Sequence, residues 1–307
     1  MGTLKDKRIV DPVLTNLARG YSNASFIGKK LFPVVPVEKE GGKIPQFGKE
    51  AFRVYDTERA IRATSNRISP EGRNTIDYVL TEHDLEYPMD YREIEEDIFP
   101  LKVHATYVTS EGINLRHEKL VADLVQDLST FPDSNKMTLS PADKFDEPTS
   151  NPYLIFDTAR EAVRSQIVKR PNVIVLGPSS YNALKNHPAV TDRIKYTQHA
   201  VVTPELLRQL LDFEQLYVAD AVYSDDAGNF IDVYSDNVIL AYVPTSKSNV
   251  DRTYYEPAFG YTLQKRNYPL VDTYDEKAKV SLIRNTDIFT AKIVGVEAGF
   301  LINDTNL

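Results

Sequence analysis

The chain has 307 residues, enough for two domains or one elaborate one. Its 42% hydrophobic and 26% charged content is that of a globular protein able to bury a core, and a formal net charge of −8 argues against tight wrapping of nucleic acid, which needs a basic face. No cysteine is present, so disulfides, thiol catalysis and cysteine-based zinc sites are excluded, no apolar run approaches the ~18 residues of a membrane span, and the opening MGTLKDKRIV has no apolar signal core or cleavage site.

Residues 1–36 read as an arm. Asp11 to Ala18 could form a short helix. The following stretch, Phe26 to Val37, is rich in Phe, Ile, Leu and Val but broken by Pro33 and Pro36, which are kept out of sheet interiors. Such a segment is either a strap lying on another surface, with Phe26 and Phe32 as contact residues, or an edge segment packing on its own domain.

Residues 37–90 read as an extended loop built on two runs. The first goes from Gly42 through Gly48 into Phe52 to Tyr55; the second, Thr75 to Thr81, alternates apolar and polar like a half-exposed strand. The connection is too long for a tight hairpin and carries Arg59, Arg62, Arg67 and Arg73. A two-stranded ribbon is marginal in water alone, so a neighbour is expected for it. Glu93, Glu95, Glu96 and Asp97 are candidate partners for those arginines, within the chain or across subunits; a solvated charge run is the alternative.

Leu101 to Ser129 reads as one long helix. Pro100 suits its start, because proline's fixed φ is already helical and it has no N–H to leave unpaired. Ile113, Leu120, Val121, Leu124, Val125 and Leu128 recur at three- and four-residue steps, whereas Gly112 should cost about 1 kcal/mol against alanine. At 1.5 Å per residue the helix would be roughly 43 Å long, a beam for a flat molecule. The stripe is too short for a coiled coil.

Residues 130–152 are a loop with four prolines. Tyr153 to Val168 is an amphipathic helix, Asn172 to Leu176 an apolar strand, and Gly177-Pro178-Ser179-Ser180 leads into a helix with Tyr181, Ala183 and Leu184. Thr203 caps a further helix to Asp212, with Pro204 in its first turn. Strands follow over Gln215 to Ala219, over Ala221 to Ser224 and Phe230 to Tyr234 around the turn Asp225 to Asn229, and over Val238 to Val243. From Tyr254 onwards the chain is β-rich, and Ala298 to Ile302 closes a sheet.

Local chemistry motifs are absent. The turn at Ser179 fails the G-x-S-x-G pattern at Tyr181 and has no P-loop Gly-Lys-Ser/Thr. Asp220, Asp225, Asp226, Asp232 and Asp236 lack EF-hand spacing, and His104, His117, His187 and His199 form no H-E-x-x-H pair. No catalytic, cofactor or metal residue is assigned.

Asn172 to Thr197, NVIVLGPSSYNALKNHPAVTDRIKYT, resembles a segment of the axial domain of tailed-bacteriophage major capsid proteins. Tyr91-Arg92-Glu93-Ile94 to Leu101, with Leu115 to Lys119 and Ala122-Asp123, resembles their long spine helix. The order of elements is similar to the α+β Hong Kong 97-like capsid fold. On that resemblance, 1–36 is the N-terminal arm, 37–90 the extended loop, 91–152 the peripheral domain with its spine helix, 153–262 the axial domain, and 263–307 the return strands of the peripheral domain. The resemblance implies a structural, non-enzymatic protein without cofactors. It would form hexamers and pentamers of an icosahedral head around double-stranded DNA, assembled in the bacterial cytoplasm. The arm, the arginines and the Glu93–Glu96 group would lie between subunits. Expected partners are the chain itself, a separate scaffolding protein because the arm begins almost at Met1, a portal, and possible decoration proteins; no membrane is involved. Some relatives crosslink a loop lysine to an asparagine, but neither Lys43 nor Lys49 matches, so no crosslink is expected. An encapsulin-type shell is the second reading; a soluble α/β hydrolase with its site near Ser179 is the third.

Overall fold

The computed structural model describes residues 26–45, 57–59, 61, 64–67, 75–97, 100–195, 202–245, 258–276 and 279–306. The helix expected over 11–18 and the ribbon run over 46–55 lie outside them. In chain order the elements are α1 (Gly28–Leu31), β1 (Val34–Val37), β2 (Gly41–Pro45), β3 (Thr75–Val79), β4 (Thr81–Asp90), α2 (Tyr91–Glu96) and α3 (Leu101–Gln126). Next come β5 (Lys136–Thr138), α4 (Pro152–Ile167), β6 (Val173–Leu176), α5 (Pro178–Asn186), α6 (Pro188–Ile194), α7 (Pro204–Leu210), β7 (Gln215–Val218), β8 (Val222–Ser224), β9 (Phe230–Asp232) and β10 (Val238–Ala241). The last four are β11 (Gly260–Lys265), β12 (Leu270–Glu276), β13 (Val280–Ile293) and β14 (Gly299–Asn303).

The first sheet is built on β13. This strand pairs antiparallel with β11 and then β12 along one edge, and with β4 along the other, from Phe289 opposite Thr81 to Val280 opposite Asp90. β1 adds in parallel outside β11. Fourteen residues of strand at about 3.4 Å each, and 26 of helix at 1.5 Å, give two beams of roughly 48 and 39 Å. α3 lies along β13 and β4, burying Ala105, Thr109, Ile113, His117, Glu118, Val121, Ala122 and Val125 at near-helical spacing. It ends at Gln126, three residues short of the expected Ser129. There the Asp127 carboxylate takes the Ser129 N–H and hydroxyl at 2.8 and 2.7 Å and turns the chain.

The second sheet runs β5-β14-β10-β6-β7, with β6 parallel to β7 and antiparallel to β10. All residues of β6 and β10 are buried, because both faces are covered. On one face Val175, Ile239 and Leu301 meet Val121 and Val125 of α3 and Ile27, Leu31 and Phe32 of the arm. On the other, Ile174, Leu176 and Leu240 meet Phe156 and Val163 of α4, Leu184 of α5, Val190 of α6 and Leu207 of α7. β14 sits in this sheet, so the final strand does not return to the first sheet as the 263–307 boundary supposes. Its apolar Phe300-Leu301-Ile302 fills the buried place beside β10, with Leu301 and Phe300 on opposite faces.

The ribbon pairs β2 with β3, Gly41 opposite Val79 to Pro45 opposite Thr75. It continues directly into β4, a ten-residue strand that opens on polar Glu82, His83 and Asp84 and then alternates Leu85, Tyr87 and Met89 with Glu86, Pro88 and Asp90.

Candidate functional site

The arm meets α3 and β11 at one junction. The Glu118 carboxylate, fully buried, accepts the Ile27 N–H at 3.0 Å and the Gly28 N–H at 2.7 Å. These are amides at the start of α1, where a short helix has unpaired donors. Next to it, His117 Nε2 lies 2.8 Å from Thr262 Oγ1, and the Thr262 hydroxyl donates to the Phe32 carbonyl at 3.0 Å. Thr262 therefore has only lone pairs to offer His117, so Nε2 carries the ring proton. Burial, reinforced by Lys29 and His83, lowers the His117 pKa to about 3, and the ring stays neutral. Burial raises Glu118, partly offset by the two backbone N–H groups. Tyr234 is buried beside that carboxylate and is held well above its ordinary pKa, though its hydroxyl makes no hydrogen bond of normal geometry. Gly28 is set by this approach: a Cβ there would stand 2.8 Å from Glu118 Oε2.

A second polar cluster lies further along the first sheet. Asp287 is buried, with both carboxylate oxygens 2.8 Å from Gln264 Nε2, and burial raises its pKa. His83 stacks on Phe289 at 4.3 Å, and burial together with Arg116 lowers it. Asn285 Nδ2 donates to Ser110 Oγ at 2.8 Å, tying β13 to α3. Among the described residues, no group of three or more His, Cys, Asp or Glu is placed to hold a metal ion.

The expected contact residues divide. Arg59 and Arg67 are exposed, whereas Arg62 and Arg73 lie outside the described residues. Glu95 and Glu96 are exposed on α2; Glu93 is half-buried and closes a capping box, with Glu93 Oε2 accepting the Asp90 N–H at 3.3 Å and Asp90 accepting the Arg92 N–H at 3.0 Å. Phe26 is half-buried against the arm junction. Phe32 is a correction: it is fully buried in its own subunit, edge-on to Phe259 at 5.5 Å, and has no surface left for a neighbour. Its carbonyl bond to Thr262 and the parallel pairing of β1 with β11 bring it inside. Among the exposed apolar side chains are Val79 at 70% and Phe230 at 71% exposure; Val79 sits on the outer face of its strand between buried Tyr78 and Leu80, so the apolar run does not show which of the three faces solvent.

The turn at Ser179 has a structural account. A Cβ on Gly177 would lie 1.7 Å from the Ser235 carbonyl oxygen, and Ser180 Oγ, buried, is 2.6 Å from Thr305 Oγ1. Asp225 accepts from the Ala227 and Asn229 N–H groups at 2.9 and 2.7 Å, as hairpin turns use aspartate. His187 caps α6 through the Ala189 N–H, while His199 lies outside the described residues.

Comparison with known proteins gives these likenesses. A family model described as phage major capsid protein E matches residues 21–279. The major capsid protein of Burkholderia phage BcepMu is 51% identical over 306 residues, spanning 100% of both chains. Among solved structures, a phage-related protein of Bordetella bronchiseptica RB50 superposes with a TM-score of 0.77 at 35% identity, covering 97% of this chain and 98% of that one. The capsid of a native GTA particle has a TM-score of 0.62 at 12% identity, covering 98% and 97%, a likeness of fold alone.

Proposed function

The chain belongs to the phage major capsid protein E family, and from that premise we propose that its subunits assemble as hexamers and pentamers into an icosahedral head that encloses double-stranded DNA. It is a structural phage protein of the Hong Kong 97-like α+β fold. An encapsulin-type shell has less support, since full-length identity of 51% is to a phage major capsid protein.

The observation that carries the assembly reading is the pairing of the two long beams, α3 and β13. They make an extended plate, and the two-stranded ribbon β2–β3 beside it packs Ile44 and Tyr78 on Val35, Val37 and Leu263 of its own subunit while turning Val79 out to solvent, an apolar side chain left for a neighbour. In this reading Arg59, Arg62, Arg67 and Arg73 of one subunit reach Glu93, Glu95 and Glu96 of the next, and Phe26 lies at the rim of the contact. A separate scaffolding protein, a portal and a decoration protein are partners of the head, which assembles in the bacterial cytoplasm. Negative-stain microscopy with light scattering tests it, on the chain alone and co-expressed with its neighbouring structural genes. Rings of five and six subunits or closed shells are expected. A persistent monomer under both conditions would overturn the reading.

A further inference from the structure

This acidic chain gathers cations on the solvent side of the arm and α3. Lys29 and Lys30 stand exposed on α1, Arg116 on α3 and Lys169 just beyond α4, with half-buried Lys119 beside them on α3. The acids on the same two elements are few. Asp123 pairs with Lys119 at 2.5 Å, Glu111 is half-buried and raised by burial, and Glu118 lies beneath the surface holding two amides. Three of the lysines stand over tyrosines that rim the core under this layer. Lys30 Nζ is 4.5 Å from the Tyr217 ring centre, Lys119 Nζ 5.2 Å from that of Tyr223, and Lys169 Nζ 4.7 Å from that of Tyr242, whose hydroxyl it also reaches at 2.9 Å. Exposed Glu214 and Asp220 flank β7 and bound the patch in sequence.

We infer that this lysine–tyrosine patch is where the subunit touches the phosphate backbone of duplex DNA, independently of base sequence. A tyrosine face holds an ammonium in place without neutralising it, so Lys30 and Lys169 are positioned and available to a phosphate oxygen, while Lys119 exchanges its Asp123 carboxylate for one. A lysine is a point charge with three rotatable donors, suited to phosphates that arrive in any register. On a chain of net charge −8 DNA is drawn only to the cationic faces, and the patch is one of them. Contact through three lysines is weak and strongly salt-dependent. With three phosphates neutralised, log K falls against log salt with a slope of about −2.7, a loss of about 40-fold between about 50 and 200 mM. The inference rests on the reading that the shell encloses DNA.

The test is fluorescence anisotropy of a short mixed-sequence DNA duplex titrated with unassembled full-length subunits across that salt range. The triple variant Lys30→Glu, Lys119→Glu, Lys169→Glu is expected to lose about tenfold or more at about 50 mM salt, with a flatter slope, at unchanged melting temperature. The corresponding triple change to arginine should hold affinity. Asp123→Asn, which frees Lys119, should tighten binding, a gain that misfolding cannot produce. Lys195→Glu, exposed at the end of α6 on the opposite side of the second sheet, should leave affinity within about twofold. Wild-type subunits that fail to bind at low salt, a triple variant that binds like wild type, or an equal loss from Lys195→Glu would each overturn the inference. Microscopy of the same preparations separates the two readings: shells without DNA binding sink this inference alone, and no shells from wild type sink the reading beneath it.

Discussion

Glu118 holds the Gly28 amide at 2.7 Å and the Ile27 amide at 3.0 Å, so one buried carboxylate fastens the arm to the long helix. Removing it with Glu118→Ala leaves two buried N–H groups unpaired, at about 1–3 kcal/mol each. Chemical denaturation should show a loss of about 3 kcal/mol, and limited proteolysis should cut ahead of β1 sooner than in wild type. Glu118→Gln, which keeps one acceptor oxygen, should lose less. If Glu118→Ala melts like wild type, the arm is held by its apolar contacts alone.

The neighbouring His117 sets a pH dependence of definite sign. Its native pKa, about 3, lies below the ordinary 6.5, so the unfolded chain takes up a proton that the native chain refuses. Stability is therefore full above pH ~6.5 and falls as pH drops towards 3, by up to about 1.4 kcal/mol per unit. Glu118 and Asp287, both raised by burial, act with the opposite sign: their ionisation costs stability as pH rises from the ordinary carboxylate range through their raised native values. Urea denaturation at stepped pH should show His117→Gln flattening the acid-side slope, and Asp287→Asn reducing the counter-trend to the share of Glu118. A His117→Gln profile parallel to wild type between pH 6 and 4 would contradict this account.

The ribbon arginines test assembly apart from folding. Charge reversal at Arg62 and Arg67 should weaken particle formation, read by light scattering, while an exposed site such as Arg67 leaves subunit stability within about 0.5 kcal/mol. Reversing Glu95 as well should restore part of the loss if the two groups meet across subunits. A melting temperature that falls in step with assembly would place the ribbon in the subunit's own core.

What could be read from residues alone follows local chemistry. Thr203 capping α7 and Asp225 turning the β8–β9 hairpin act within a few residues of themselves, and each stands where its type predicts. The long helix was visible through Pro100 and its apolar half, but its deepest polar pair, His117 and Glu118, was not. Their burial depends on Thr262 and Gly28, which are 145 and 90 residues away. The length of β13 is hidden in the sequence because Asn285, Thr286 and Asp287 interrupt its apolar pattern. Those three are buried: Asn285 pairs with Ser110, Asp287 with Gln264, and Thr286 with Asp84 at 3.0 Å. In β4 the polar opening Glu82-His83-Asp84 and Pro88 mask the alternation of Leu85, Tyr87 and Met89; Asp84 accepts from the Thr286 hydroxyl and Glu86 from that of Tyr274.

Phe32 and Phe230 make opposite predictions from the same side chain. Phe32 is fully enclosed, stacked edge-on against Phe259, and a Cβ on Gly260 would come within 2.6 Å of its ring. Phe32→Ala should cost about 3–5 kcal/mol of subunit stability, because the site cannot collapse around the cavity. Particles should then be lost only in proportion to the unfolded fraction. Phe230, at 71% exposure on the β8–β9 hairpin, contributes little to its own fold, so Phe230→Asp should leave the melting temperature near wild type. If that hairpin packs against a neighbouring subunit, the same change buries an unpaired charge there and should abolish closed shells in negative stain. Normal shells from Phe230→Asp would remove the hairpin from the assembly contacts, while normal stability of Phe32→Ala would contradict the packing of the arm on its own domain.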